Sequence, residues 1–315
     1  MENGWERTLP LVKINEEIIA DLFRDVVNYS DILDVSLLDG GCRTTNYMVE
    51  SKKHNKYVLK IFYENDKSYK KDIALFDIVK KYVPVQEICK IDYDKFINKE
   101  YIIYRYIDGK TISQHVKEGN KITERMVRSV AGVLGRIHNI KFKKVGSLDD
   151  NLNIKSQLEP MIELYDKYIN ENVKLRLGTE NITKIKQIVY KYKDVLLSLE
   201  CDSRLIHGDF QGTNIIVNND SVASIIDWEF CMSGCPLVDI GQFFRYESYF
   251  DSELIRTFEN EYRNVCNYEL MDNWYDISKI IDLLSLIRLI SGDKEMPNKY
   301  SQIKEIVECS IKRLY

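Results

Sequence analysis

Leu205-Ile-His-Gly-Asp209-Phe-Gln-Gly-Thr-Asn214-Ile-Ile-Val217, continued through Asn218-Asn-Asp-Ser221 to Val222-Ala-Ser-Ile-Ile-Asp227-Trp-Glu229, is the stretch on which the reading of this 315-residue chain turns. Ile215 to Val217 reads as a short apolar strand, Asn218 to Ser221 as a turn and Val222 to Ile226 as the returning strand. A hairpin of that kind folds Asp227 back beside Asn214. Asp209 precedes Asn214 by a loop's length, so it can curl toward the same point. Two carboxylates and an amide thereby gather at one end of a hairpin, where a divalent metal and a phosphoryl acceptor could meet.

Toward the N-terminus the texture is that of strands. Glu16 to Val27 carries Ile18, Ile19, Leu22 and Val26 at helical spacing and reads as an amphipathic helix. Ile32 to Leu38 and the strand resuming at Tyr47 flank a small, polar tip, Asp39-Gly-Gly41-Cys-Arg-Thr44-Thr45-Asn46, which is either an ordinary turn or a cradle laying backbone N–H groups over phosphates. Tyr57-Val-Leu-Lys60-Ile-Phe62 sets a lysine inside an apolar strand. Its ammonium either snorkels out from an edge or is held for an anion. Lys67 to Tyr82 reads as a helix stopped by Pro84, and Glu87 to Tyr93 and Glu100 to Ile107 as strands.

From Lys110 onward the pattern becomes helical. Thr123 caps a helix with Met126, Val127, Val130, Val133, Leu134 and Ile137 on one stripe, and His138 at its end reads as a core or capping residue. Ile154 to Lys174, Asn181 to Leu199, Asp251 to Tyr268, Trp274 to Ser291 and Ser301 to Leu314 follow as helices. The expected fold class is α+β: a small β-rich N-terminal lobe over residues 1–107 and a large α-helical lobe over 108–315 that carries the polar hairpin.

Composition bounds the function. A chain 44% hydrophobic and 30% charged has enough apolar residues for two cores. A net charge of -4 gives no basic field for nucleic acid, so no nucleic-acid partner is expected. The seven cysteines are scattered, and Cys231-Met-Ser-Gly-Cys235 is one residue too long for a C-x-x-C pair. Free thiols, no apolar leader and no membrane-length apolar run suit a reducing cytoplasm and no membrane partner.

Taken together, Lys60, then His207-Gly-Asp209-x4-Asn214, then Ile226-Asp227 closing a hairpin, resemble the family of aminoglycoside phosphotransferases and choline-kinase-like enzymes, which share the protein-kinase-like two-lobe fold. The resemblance spans roughly Ile32 to Ser291. It implies a Mg²⁺-dependent phosphotransferase with an alcohol group as acceptor. Asp209 is then the catalytic aspartate that takes the acceptor's proton, and Asn214 and Asp227 are the Mg²⁺ ligands. Lys60 contacts the α/β-phosphates of ATP, with Asp72 as the helix acid that holds it, where the family usually has glutamate. Gly41, Thr44 and Thr45 form the phosphate-covering turn. Tyr104, Arg105 and Ile107 form the nucleotide hinge, and a tyrosine at its back also admits GTP. Gln211 stands where many relatives have histidine, and Gly212-Thr213 where they have Pro-Gly or a similar pair.

The acceptor is read from charge. Residues 200–296 hold 18 Asp/Glu against 7 Lys/Arg, and carboxylates over a cleft attract polycations. Glu229, Glu247, Asp251, Trp274 and Asp276 are the candidate contacts for a small cationic, hydroxylated substrate, with an aminoglycoside antibiotic first. Choline, homoserine, a thiosugar or a ketoamine is the alternative acceptor, and a non-catalytic binding protein of this fold is a third reading. A peptide substrate is disfavoured, since the chain has no D-F-G or A-P-E and only eight residues separate Asp227 from Pro236.

Overall fold

The computed structural model describes residues 1–315 apart from 3, 39, 40, 42 and 64–68, and leaves the side chains of Tyr69 and Asp72 undescribed. The expected partner of Lys60, Asp72, thus lies outside the described side chains, as does Gly40 of the glycine turn.

Five antiparallel strands build the N-terminal sheet: β1 (Ile32–Leu37), β2 (Thr45–Ser51), β3 (Lys56–Ile61), β4 (Ile88–Asp94) and β5 (Lys99–Arg105), in the order β1-β2-β3-β5-β4. Helix α1 (Glu16–Phe23), capped by the Asn15 side chain, lays Ile19, Leu22 and Phe23 against Tyr47, Val49, Leu59 and Ile61. That closes one small core. The opposite face of β3 and β5 carries Lys60 and Tyr104, beside Phe62 and Ile102.

Helix α2 (Tyr69–Val79) comes from the N-terminal part of the chain, yet its Leu75 and Val79, with Val83, belong to the larger core further along. Pro84 accepts from the Ile225 N–H at 3.1 Å, stitching the α2–β4 connection to the polar hairpin. The chain crosses between lobes near 107, but packing does not divide there.

Past the hinge, β6 (Lys110–Thr111) runs into α3 (Ile112–Lys117), whose Thr111 and Gln114 make a capping box. Helix α4 (Glu124–His138) is capped by Thr123 and buries the expected stripe. The segment expected as one helix from Ile154 divides: β7 (Gly146–Leu148) pairs with β8 (Ile154–Ser156), and α5 (Met161–Tyr168) starts only after Pro160. Helices α6 (Glu171–Leu177), α7 (Thr179–Lys191) and α8 (Lys193–Ser198) lead to β9 (Arg204–Ile206).

The decisive stretch forms β10 (Ile215–Asn218) and β11 (Ser221–Ile225), followed by β12 (Met232–Gly234) and helices α9 (Leu237–Phe243), α10 (Ser252–Val265), α11 (Trp274–Leu289) and α12 (Pro297–Leu314). Among the described residues no helix is long and apolar enough to cross a membrane.

Candidate active site

The hairpin closes as its sequence dictates. Asn219 and Asp220 both adopt positive φ, 48° and 57°, the turn that matches strand twist, and Ile215 pairs with Ile225. The Ile226 N–H then donates to the Asn214 carbonyl at 3.0 Å, which sets Asp227 beside Asn214. Asp227 itself sits in the left-handed region, φ 62° and ψ 63°. For a non-glycine residue that conformation is strained, and it persists because the surrounding structure holds it.

Lys60 reaches across from β3. Its Nζ lies 2.6 Å from Asp227 Oδ1, with the lysine side chain 8% exposed and the aspartate 44%. The enclosing walls oppose ionisation of Asp227, but the Lys60 ammonium and its hydrogen bond outweigh them and hold the carboxyl below its usual range. The pair therefore joins the lobes with Asp227 ionised and part of its carboxylate open to the cleft.

Asp209 is held on both oxygens. Oδ1 accepts from Gln211 Nε2 at 2.8 Å and Oδ2 from Asn214 Nδ2 at 2.7 Å, and the same Asn214 amide nitrogen donates to the Asp209 carbonyl at 2.9 Å. With its NH₂ so engaged, Asn214 keeps its carbonyl oxygen for another partner. Burial drives the Asp209 carboxyl up to about 7, against the opposing pull of Arg245. A carboxyl titrating near neutrality is poised to take a proton from a hydroxyl.

What fixes this loop is a set of residues the sequence reading did not single out. Asp239, fully buried on α9, accepts from the His207 N–H at 2.7 Å and the Gly208 N–H at 2.8 Å. It also lies 3.1 Å from Nε2 of buried His138, whose Nδ1 is 2.7 Å from the Tyr262 hydroxyl. Gln242, one turn on, accepts from the Phe210 N–H at 2.7 Å and donates to the Gly208 carbonyl at 2.9 Å. Two side chains thus clamp four backbone groups of residues 207–210. Gly208 is required here, because it has φ 79° and a Cβ would overlap the Phe230 carbonyl.

His207 is also fixed. Its Nε2 donates to the Ile226 carbonyl at 2.9 Å, while Nδ1 accepts from the Asp209 N–H at 3.2 Å. Burial holds its pKa below the ordinary value, which keeps the ring neutral in that tautomer. Behind the loop, buried Arg245 binds Asp282 through Nε and Nη2, the latter at 2.7 Å, and gives Nη1 to Gln211 Oε1 at 2.9 Å. This orients the Gln211 amide so that its NH₂ faces Asp209. The residue in the family's histidine position is thereby tied to the acid.

The glycine turn and hinge differ in detail from expectation. Arg7 donates to the carbonyls of Gly41 and Thr44, the latter at 2.8 Å. The Thr45 hydroxyl faces the sheet interior, 1% exposed, and accepts from the Val12 N–H at 2.9 Å, so it does not face the cleft. Asn46, paired opposite Lys60, has a buried Oδ1 without a hydrogen-bond partner among the described residues. In the hinge, the Arg105 N–H goes to the Glu87 carbonyl and the Tyr106 N–H to Lys56, both at 2.9 Å. Among the described residues the Ile107 N–H has no such partner, so it is the hinge donor open to a base. Tyr104 is buried behind it, 8% exposed.

The candidate acceptor residues separate. Glu229 stands two residues after Asp227, in the turn that follows it, and its backbone carbonyl accepts from Lys71 at 3.2 Å. Glu247 Oε1 stands 3.3 Å from buried Lys279. Asp251 caps α10, accepting from the N–H groups of Glu253 and Leu254. Trp274 is 2% exposed among Phe244, Phe258 and Tyr275, a core residue with no face for a sugar. Asp276 pairs with Arg313 at 2.7 Å on the outer side of α11. These last three are corrections: cap, core and surface pair claim them.

The donors at the cleft suit Mg²⁺. Asp227 offers a charged oxygen and Asn214 an amide oxygen, and a hard ion that retains water and phosphate ligands needs no more from the protein. No group of three or more His, Cys, Asp or Glu that could hold a metal is found among the described residues.

The comparisons converge on the same architecture. A family model described as "Phosphotransferase enzyme family" matches residues 34–274. No curated protein matches the chain. Among solved structures, the aminoglycoside phosphotransferase APH(4)-Ia in a ternary complex with ADP and hygromycin B superposes with a TM-score of 0.68 at 15% identity, covering 94% of this chain and 97% of that one. Spectinomycin phosphotransferase APH(9)-Ia, with ADP and spectinomycin, gives 0.63 at 16% identity, covering 95% and 98%. Choline kinase LicA from Streptococcus pneumoniae gives 0.61 at 17%, covering 95% and 99%.

Proposed function

The chain belongs to the phosphotransferase enzyme family, and from that premise we propose that it transfers the γ-phosphoryl group of ATP to a hydroxyl of a small cationic substrate, with an aminoglycoside first among acceptors. The observation that carries this reading is the convergence of Lys60, Asp227, Asn214 and Asp209 in one cleft, each by a named contact.

Phosphoryl transfer demands positioning and charge neutralisation more than covalent chemistry. Asp209 receives the acceptor hydroxyl and takes its proton; Asn214 and Gln211 keep it aimed. Lys60 faces the α/β-phosphates. Asn214 Oδ1 and the Asp227 carboxylate would hold Mg²⁺, which supplies neutralisation of the phosphate oxygens. The Ile107 N–H meets the base, with Tyr104 behind it. Glu229, two residues from Asp227, adds negative potential that favours a cation, while Glu247 is offset by Lys279. Free thiols at Cys89, Cys201, Cys231, Cys235, Cys266 and Cys309 suit a reducing cytoplasm.

The test is nucleotide consumption coupled to phosphorylated product, with and without Mg²⁺, for hygromycin B, spectinomycin, other aminoglycosides, choline and simple amino-alcohols, using ATP and then GTP. Product with an aminoglycoside supports the reading. Product with choline alone moves the acceptor to the metabolite class, and no product with any cation refutes it.

A further inference from the structure

The described residues among the first 13 cross the molecule as a strap. At one end the Val12 N–H and carbonyl bond Thr45 and Tyr47 of the N-terminal sheet, at 2.9 Å and 3.0 Å. Arg7 holds the glycine turn through the Gly41 and Thr44 carbonyls. The strap then reaches the other lobe: Lys294 Nζ donates to the Arg7 and Thr8 carbonyls, the Glu6 carboxylate accepts from the first N–H groups of α12, Asn298 at 2.9 Å and Lys299 at 3.2 Å, and Trp5 Nε1 donates to Gln302 at 2.7 Å.

Its far end enters the catalytic loop. Met1 packs on Gly212, where any Cβ would overlap the Met1 sulfur, and the Met1 nitrogen bonds the Tyr249 hydroxyl at 3.3 Å. Beside Met1, Glu2 Oε1 is shut off from water without a hydrogen-bond partner among the described residues, and so is the Tyr246 hydroxyl. Glu2 and Arg245 are close enough to shift the ionisation of both Asp209 and Tyr246, and burial, ahead of the pull of Arg245, raises the Glu2 carboxyl. Orphaned buried polar atoms are costly, and two of them by the acid that receives the acceptor call for a ligand that satisfies both.

We propose that Glu2, delivered by the N-terminal strap, is a specificity residue for the acceptor, its carboxylate and the Tyr246 hydroxyl together taking an ammonium or hydroxyl group of the substrate whose reacting oxygen lies at Asp209. The proposal rests on the reading of the chain as a kinase of cationic alcohols. It supplies what that reading lacked, since Asp251, Trp274 and Asp276 are engaged elsewhere.

The experiment compares wild type, Glu2→Gln, Tyr246→Phe and a chain lacking residues 1–8 in the acceptor panel above, measuring acceptor KM, nucleotide KM and kcat separately. For whichever acceptor wild type uses, Glu2→Gln and the truncated chain are expected to raise its KM at least tenfold and Tyr246→Phe severalfold, with nucleotide KM unchanged in both point variants. An unchanged acceptor KM in Glu2→Gln overturns the proposal and leaves the kinase reading intact. Faster turnover or a lower acceptor KM in the truncated chain also overturns it, marking the strap as a plug. If wild type phosphorylates no cation, the kinase reading itself has failed and the role of Glu2 falls with it.

Discussion

Replacing Asp239 by asparagine tests whether α9 positions the catalytic loop. The carboxylate accepts three hydrogen bonds in a site closed to water: His207 N–H at 2.7 Å and His138 at 3.1 Å on one oxygen, Gly208 N–H at 2.8 Å on the other. Asparagine keeps the shape but offers one oxygen. Turned to serve His207 and His138, its NH₂ meets the Gly208 N–H; turned the other way, it meets the His207 N–H. Either way one buried backbone donor loses its acceptor, at a cost of about 1–3 kcal/mol, and faces a second donor. Alanine leaves all three unserved, roughly 3–9 kcal/mol, a large part of the 5–15 kcal/mol that holds a typical protein folded. The loop also shifts, and a displacement of about 1 Å at a reacting group costs on the order of 100-fold in rate. Asp239→Asn is therefore expected to lower the urea midpoint by the equivalent of about 2 kcal/mol and kcat by on the order of 100-fold. Nucleotide affinity should be retained, because Lys60 and the hinge lie elsewhere. Urea denaturation followed by circular dichroism, and kcat for the preferred acceptor, measure the two effects. A variant that loses stability yet keeps wild-type kcat would falsify the positioning role.

Four further outcomes follow from the same geometry. Asp209→Ala should abolish transfer while leaving nucleotide binding within a few-fold by calorimetry, about the tolerance expected of a group that meets the acceptor and reaches the metal ligands only through its bond to Asn214. In wild type, kcat/KM should fall below about pH 7, where Asp209 gains its proton; because burial raises the folded value above the unfolded 3.8, the folded chain binds a proton the unfolded chain has given up between pH 3.8 and 7, and this group's contribution to stability declines as pH rises through that window. Lys60→Met should weaken nucleotide binding and remove the cation that keeps Asp227 ionised, so the stability that pair gives, present above the unfolded carboxyl value and lost as pH falls through the lowered folded one, should shrink at neutral pH in thermal melts. Arg245→Met should cost about 3–5 kcal/mol, since it leaves Asp282 buried and unpaired, and Arg245→Met combined with Asp282→Leu should recover most of that in denaturant melts without restoring kcat, because Gln211 has lost its orienting donor.

The hairpin was legible because turn chemistry and β-branching are local, and the four residues between Asp209 and Asn214 leave little freedom. The α4 cap and stripe were legible for the same reason. Helix α9 was not: Leu237-Val-Asp-Ile-Gly-Gln-Phe243 is short and apolar on nearly every side, so periodicity is silent there. A signal was nonetheless present, since Asp239, Gln242 and Arg245 are polar residues three apart in an otherwise apolar run, and buried polar groups must have partners. Asp251 likewise announced itself as a cap, preceding Ser-Glu-Leu at a helix start.

The contacts that no local rule reaches are those of the strap. Met1 and Gly212 are separated by most of the chain, and neither sits in a periodic segment. Their meeting depends on the two lobes already facing each other, with Arg7 on one and Glu6 on the other. An acidic count over residues 200–296 put the acceptor's negative field in the second lobe. The structure divides that field differently: several of those carboxylates cap helices or pair with Arg and Lys, while Glu2, from the first residues of the chain, has a buried carboxylate oxygen with no hydrogen-bond partner among the described residues. Charge counted along a sequence cannot distinguish a neutralised carboxylate from a waiting one, because that difference lies in the partner. It follows that acceptor preference should track the strap more closely than the acidic helices, and exchanging residues 1–8 should alter specificity where exchanging the exposed acids of α10 does not.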